Sequence, residues 1–393
     1  MPAWRSVMSD TAAPRRIAWR TPWRAVAAAF AFNGILLGIW AARIPAVVEI
    51  HALSEADLGL LLLFMGVGAL VSFPLAGRLA DSLGAARLTR WIAASYSLTL
   101  ILIALAPSRP WLAVALFLFG MAHGSMDVVM NTWASEAEKR AGRAIMSSFH
   151  AMWSLGAGLG ALSGFAATSF GWSVPLHFIA GALVSAALFL PFLTLPWQSD
   201  TRPHDPNAPV FAIPRGALVL VGLVALAAAA SEGSVADWSA VYLADVVQAG
   251  KAQATLGFAV YSVAMVSTRL LVDRVVTLLG PVLWARISGL LAATGMGLVV
   301  AFPVLPVALA GYVLLGIGCA AIVPLAFSRA AADPFVPPGQ AIASVATLCY
   351  GALLMGPPAV GFIAEATSLR IALGLIAAQA LLITLLAGVL RRP

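Results

Sequence analysis

Long apolar runs broken by short polar stretches dominate the chain. Twelve runs, at about 23–46, 56–77, 88–106, 110–133, 143–167, 172–195, 215–236, 254–275, 281–301, 305–328, 340–363 and 370–390, are long enough to cross a bilayer. They are continuous rather than alternating, which predicts helices and not barrel strands. The breaks carry helix punctuation. Ser54 precedes Glu55 and Asp57 as an N-cap should, and Pro110, Pro281 and Pro306 fall near helix starts, where a missing N–H costs little. Trp23, Trp91, Trp111, Trp133, Trp172, Trp197 and Trp284 fall near run ends, as interfacial aromatic belts predict. Trp40, Trp153 and Trp238 do not.

Composition fixes the class. Hydrophobic residues make up 61% of the 393 positions and charged residues only 10%, with a mean hydropathy of +0.96. Soluble domains carry about 25% charge. The expected fold is all-α and membrane-embedded. A polar, proline-rich stretch at 196–214 leaves six runs on each side, which predicts a tail over 1–22, helical bundles over 23–195 and 215–390 and a short tail over 391–393. The halves echo one another. GMAHGSMDVVMNTWASEA in the fourth run aligns with GIGCAAIVPLAFSRAAAD in the tenth at a shift of 196, and HAMWSLGAGLGALSGF in the fifth with TLCYGALLMGPPAVGF in the eleventh. Two pseudo-symmetric six-helix bundles imply a transporter that rocks about a central site.

Charge sets the expected topology. With the N-terminus inside, only Arg43, Arg109, Lys251 and Arg370 of the 23 lysines and arginines fall outside. Both termini are therefore expected to be cytoplasmic, and the net charge of +7 follows from topology without a nucleic-acid partner. The first run is too long for a signal-peptide core and is read as a retained helix. Cys319 and Cys349 lie inside runs and are read as core residues. No metal-spaced cluster, Walker loop or nucleotide fingerprint stands out, so neither cofactor nor enzymatic chemistry is expected.

Gly77-Arg78-Leu79-Ala80-Asp81-Ser82-Leu83-Gly84-Ala85-Ala86-Arg87 resembles the loop signature of the major facilitator superfamily, and with twelve runs and a central loop the resemblance covers nearly the whole chain. FNGILLGIWAARIP, DVVMNTWA, SSFHAMWSLG, EGSVADWSAVYL and GPPAVGFIAE are similar to the MosC-like branch, bacterial proteins associated with an inositol-amine compound. The resemblance implies a bacterial inner-membrane location. It also implies that Asp81, with Gly77, Arg78, Gly84 and Arg87, latches the cytoplasmic faces; the arginines alone would also enforce topology. A second-half copy keeps Arg269, Asp273, Gly280 and Arg286. Two departures stand out: the fourth run lacks Arg-x-x-x-Gly, and the fifth lacks the Gly-Pro pair of drug antiporters.

The fourth run holds His123, Asp127 and Asn131 on one helical face. Asp127 lies about 9 Å from the inner end, and His150, in the next run, about 10 Å from the same side. A buried Asp costs on the order of 3 kcal/mol and needs a partner or a wet cavity. Asp127 and His150 could form a proton relay; equally, Asp127, Asn131 and His150 could be a polar clamp between two helices. Arg43 and Glu232 share a depth in the outer half and could close an outer gate. Alternatively, Arg43 pairs with Glu49 or the lipid interface, and Asp237 is a rival partner. Asn33, His123, Asn131, Trp153, Ser154, Tyr261 and Tyr350 are candidates to line a central site, although each could equally be packing.

The function expected is secondary active transport of a small polar organic solute, such as a sugar, an inositol-like polyol or a heterocycle, coupled to protons, by a monomer in the lipid bilayer. The alternatives are a proton-driven efflux pump for amphipathic compounds and a non-transporting membrane sensor. Coupled flux separates the sensor from the other two.

Overall fold

The computed structural model describes residues 21–142, 145–201, 213–336 and 338–391. Most of the expected tail, the centre of the linker, Arg143, Arg392 and the Asp273 side chain lie outside the described residues. The first half is built of α1 (Pro22–His51), α2 (Glu55–Leu83), α3 (Ala85–Ala104), α4 (Arg109–Ala141), α5 (Met146–Ser169) and α6 (Val174–Leu193). The second half is built of α7 (Ala217–Asp245), α8 (Lys251–Ala254), α9 (Leu256–Leu279), α10 (Pro281–Ala301), α11 (Leu305–Cys319), α12 (Ile322–Ala331), α13 (Pro338–Ala366) and α14 (Leu369–Leu386). Helices α8 and α9 make one pass, as do α11 and α12, so the helices form twelve passes.

Among the described residues, ten helical segments are both long and apolar enough to cross a membrane. Helices α3 and α5 match them in length but carry more Gly, Ser, Thr and Arg. Two expected runs are interrupted: the eighth at Thr255, and the tenth between Cys319 and Ile322. Local chemistry sets the starts as expected. Ser54 and Asp57 form a reciprocal capping box on α2, at 3.2 Å each way. Pro281 opens α10, and Pro110 and Pro306 sit in the first turns of α4 and α11.

The two halves pack by the same rules. α1 lies on α5 and α6 as α7 lies on α13 and α14; α2 lies on α4 as α9 lies on α11; α3 lies on α4 and α6 as α10 lies on α11 and α14. The shift of 196 read from sequence recurs in atomic detail. A Cβ on Gly120 would overlap the Met65 carbonyl oxygen, and one on Gly316 would overlap that of Tyr261. These four residues form two pairs 196 apart. Small residues let the backbones approach, as membrane helix packing requires. Gly84, in the loop motif, has φ +84°, and Gly280 at the related junction has φ +77°. The motif glycine is thus a left-handed joint between α2 and α3, which a side chain would strain.

Two tryptophans depart from the belt reading. Trp133 is fully buried, because α4 runs two turns beyond it, and its ring meets Trp197 at 6.2 Å. Trp284 is likewise largely buried, whereas Trp91 and Trp111 are 67% and 63% exposed, as lipid-facing belt residues should be. Trp40 and Trp238, which did not fit the belts, are fully buried in the core.

Candidate functional site

The halves meet along a seam in which α2 faces α13, α5 faces α9 and α1 faces α7. At the face away from the chain ends the seam is shut. Gly59 on α2 lies against Pro358 and Gly361 on α13, close enough that a Cβ would sit 3.2 Å from each. The Ala56 amide donates to Glu365 at 3.3 Å, and Lys251 pairs with Glu49 at 2.6 Å. Trp238 donates to the Pro357 carbonyl at 3.1 Å, bracing α7 on α13 behind this contact.

Nearer the chain ends the seam carries polar groups from both halves. Asp127 on α4 is bound on both carboxylate oxygens. Asn131 donates to Oδ1 at 3.1 Å, and Tyr350 of α13 donates to Oδ2 at 2.9 Å, across the seam. The Tyr350 ring also lies 5.1 Å from that of Phe73 on α2. On the other side of the seam Arg269 of α9 donates from Nη1 to Ser154 on α5 at 2.6 Å, and from Nε to the Ala320 carbonyl at 3.2 Å. Ala320 is where the tenth pass breaks between α11 and α12, so the break supplies a carbonyl that the helix does not use. Glu232 on α7 and His150 on α5 both lie within the electrostatic reach of Arg269.

The structure brings some of the expected partners together and not others. Asn131 joins Asp127, and Ser154 and Tyr350 reach the seam. His150 does not bond Asp127: its ring sits edge-on to Phe30 at 5.2 Å, and no hydrogen bond or ion pair joins the two among the described residues. The clamp of Asp127, Asn131 and His150 is therefore made only by its first two members among the described residues, since α4 and α5 touch little. His123 turns away to the Tyr96 hydroxyl on α3, 2.9 Å from Nδ1. Asn33 is fully buried, with its Nδ2 3.6 Å from the Met130 sulfur. Tyr261 is buried with its ring on Phe258, and Trp153 packs half-buried against the apolar core that both halves share.

The expected outer gate is not formed as written. Arg43 donates to Thr168 at 3.1 Å and to the Trp172 carbonyl at 3.0 Å, both within the first half. It pairs with neither Glu232 nor Glu49. Depth along the helix matched, but Arg43 turns to α5 and the turn that follows it. Closure at that face falls instead to Lys251–Glu49 and the α2–α13 contact. On the chain-end side, Arg78 is exposed and Asp81 takes no ion-pair partner among the described residues, while Arg87 lies over Trp91 at 5.7 Å. The contact expected of Asp81 is therefore not made among the described residues.

Two arrangements went unread in the sequence. Arg269 was grouped with a loop motif, yet α9 continues ten residues beyond it, which puts it about 15 Å inside. The start of the linker is pinned to the first half. Trp197 donates to Glu136 at 2.7 Å and lies under Arg140 at 4.0 Å, and Ser199 accepts from the Ala86 amide at 3.1 Å, beside the motif glycine Gly84. Trp197 looked like a belt residue, and only its carboxylate and arginine neighbours reveal its role. Among the described residues no group of three or more His, Cys, Asp or Glu is placed to hold a metal, and Cys319 and Cys349 are both free and buried.

Comparison with known proteins places this geometry. Residues 25–332 match the family model of the Major Facilitator Superfamily. The chain is 52% identical over 372 residues to the uncharacterized transporter y4wD of Sinorhizobium fredii (strain NBRC 101917 / NGR234), covering 95% of this chain and 99% of that protein. It is 33% identical over 356 residues to the membrane protein MosC of Rhizobium meliloti, covering 89% and 85%. Its fold superposes on the crystal structure of a point mutant of the nucleoside transporter NupG with a TM-score of 0.75 at 14% identity, covering 94% of this chain and 99% of that one.

Proposed function

The chain belongs to the Major Facilitator Superfamily, and from that premise we propose that it moves a small polar organic solute across the bacterial inner membrane by alternating access, driven by protons, with both termini cytoplasmic. The observation that carries this reading is Asp127. It is an acid deep in a membrane pass, held from its own half by Asn131 and from the other half by Tyr350. A titratable group bonded across the surface along which the halves must separate is a natural coupling element, since its protonation changes the strength of a bond that only one arrangement makes. The shut far face, and an Asp81 without an ion-pair partner among the described residues, fit a state open toward the chain ends. With the proton on Asp127 the Tyr350 bond loses its charge assistance and the seam can part.

The solute lies between the Asp127–Tyr350 side and the Arg269–Ser154 side, with Phe73 and Trp153 as apolar walls. A ring-bearing, hydroxyl-rich molecule such as a polyol or a heterocycle suits hydroxyl, amide and aromatic neighbours. In reconstituted vesicles Asp127→Asn should abolish accumulation driven by a pH gradient while leaving solute exchange largely intact. If Asp127→Asn accumulates solute against its gradient like the unaltered protein, Asp127 is a structural clamp and the coupling reading is wrong.

A further inference from the structure

The pseudo-symmetry of the fold marks out one residue that packing does not require. Phe73 and Arg269 are 196 positions apart, and so are Ser154 and Tyr350. The two pairs are the equivalent contacts of α2 with α13 and of α9 with α5. On one side the contact is aromatic on aromatic. On the other it is a guanidinium on a hydroxyl. The first side shows that this place in the fold accepts an uncharged ring. A charge there is expensive in a membrane protein and marks function more often than structure.

The guanidinium is also incompletely matched. Nη1 and Nε are used by Ser154 and Ala320, while Nη2 has no acceptor among the described residues. No carboxylate among the described residues stands in ion-pair contact with Arg269; Glu232 acts on it only through space. Both bonded acceptors are neutral. A half-buried arginine whose charge is unmatched among the described residues, with one edge of its fork free, suits a carboxylate, which engages two N–H groups at once.

Resting on the transporter reading above, we propose that Arg269 is the anchor for an anionic group of the solute, so that the substrate class is a soluble organic carboxylate. The acid takes Nη2 and displaces Ser154 from Nη1. Because the Arg269–Ser154 bond joins the two halves, the arriving anion would exchange a bond across the seam for a bond to the solute.

The test is thermal unfolding of the purified full-length protein in neutral detergent, followed by tryptophan fluorescence. The probes are acids matched with neutral partners: glucuronate with glucose, nicotinate with nicotinamide, benzoate with benzamide. At least one acid should raise the unfolding temperature in a saturable way while its partner does not. Arg269→Gln should weaken that acid by about tenfold or more, the loss expected for a charged hydrogen-bonded contact. Arg269→Lys, which keeps the charge without the fork, should fall between. If Arg269→Gln does not fold, the lysine variant decides: undiminished affinity for the acid overturns the proposal. It is also overturned if no acid stabilises the protein, if the neutral partners do so equally, or if phosphatidylglycerol alone gives the shift and the acids do not. None of these results bears on the Asp127→Asn experiment, so the anchor can fail while proton coupling stands.

Discussion

Replacing Tyr350 with phenylalanine removes one oxygen from the seam and little else. The ring keeps its place 5.1 Å from Phe73, and Asp127 keeps the Asn131 bond at 3.1 Å. What is lost is the 2.9 Å bond from the Tyr350 hydroxyl to Oδ2 of Asp127, the contact that ties α13 of one half to α4 of the other. A hydrogen bond to a charged group contributes about 1.5–3 kcal/mol. If the bond exists only in the arrangement open toward the chain ends, its removal shifts the balance by that amount and no more, or about 10- to 150-fold in the ratio of the two states. Spin labels at Ile50 and Gly250 sit beside the Glu49–Lys251 pair that closes the far face. Pulsed distance measurements between them should show one short distance in the unaltered protein and a growing longer population in Tyr350→Phe. An unchanged distribution, or one that tightens, would refute the view that this bond holds the halves in their present arrangement.

Other consequences follow from the same contacts. Arg43→Ala should lower the unfolding temperature without opening the far face, because its partners Thr168 and Trp172 belong to its own half; a longer Ile50–Gly250 distance in this variant would restore the gate reading. Lys251→Glu should change transport rate only a few-fold, since both partners of the pair are mostly exposed and such pairs contribute about 0.2–1 kcal/mol; the exchanged double variant Glu49→Lys with Lys251→Glu should recover the loss, and a total loss of transport would show a larger role. Gly120→Ala and Gly316→Ala should each destabilise the protein by about 1–3 kcal/mol through overlap with the Met65 and Tyr261 carbonyls, as read by unfolding temperature.

Local signals were legible in the sequence. The Ser54 cap on α2 and the prolines in first turns depend on neighbours in the chain and appear where expected, whereas α2 and α4 run on to Leu83 and Ala141, past the expected ends at 77 and 133. The internal repeat was legible too, and the glycine contacts at Gly120 and Gly316 give it a physical cause. Facing directions were not legible. Counting residues along a helix gives depth, so Asp127 and His150, or Arg43 and Glu232, looked like pairs. Which way each side chain points depends on how the helices are rotated against one another, and that is fixed by distant packing. His123 shares a helical face with Asp127, yet it is claimed by Tyr96 on α3. Arg269 was hidden for a different reason: it fell inside the expected run 254–275, but its place in a loop-motif copy read it as a cytoplasmic charge, and α9, running on to Leu279, puts it deeper.

The measurement that bears most directly on the account is the pH inside vesicles carrying the reconstituted protein, followed with a trapped fluorescent dye while solute is added outside. Solute that crosses with protons must change the internal pH in proportion to its flux. The unaltered protein should show that change and Asp127→Asn should lose it, with solute exchange retained. Solute flux through the unaltered protein without any internal pH change, or an equal change in Asp127→Asn, would contradict it.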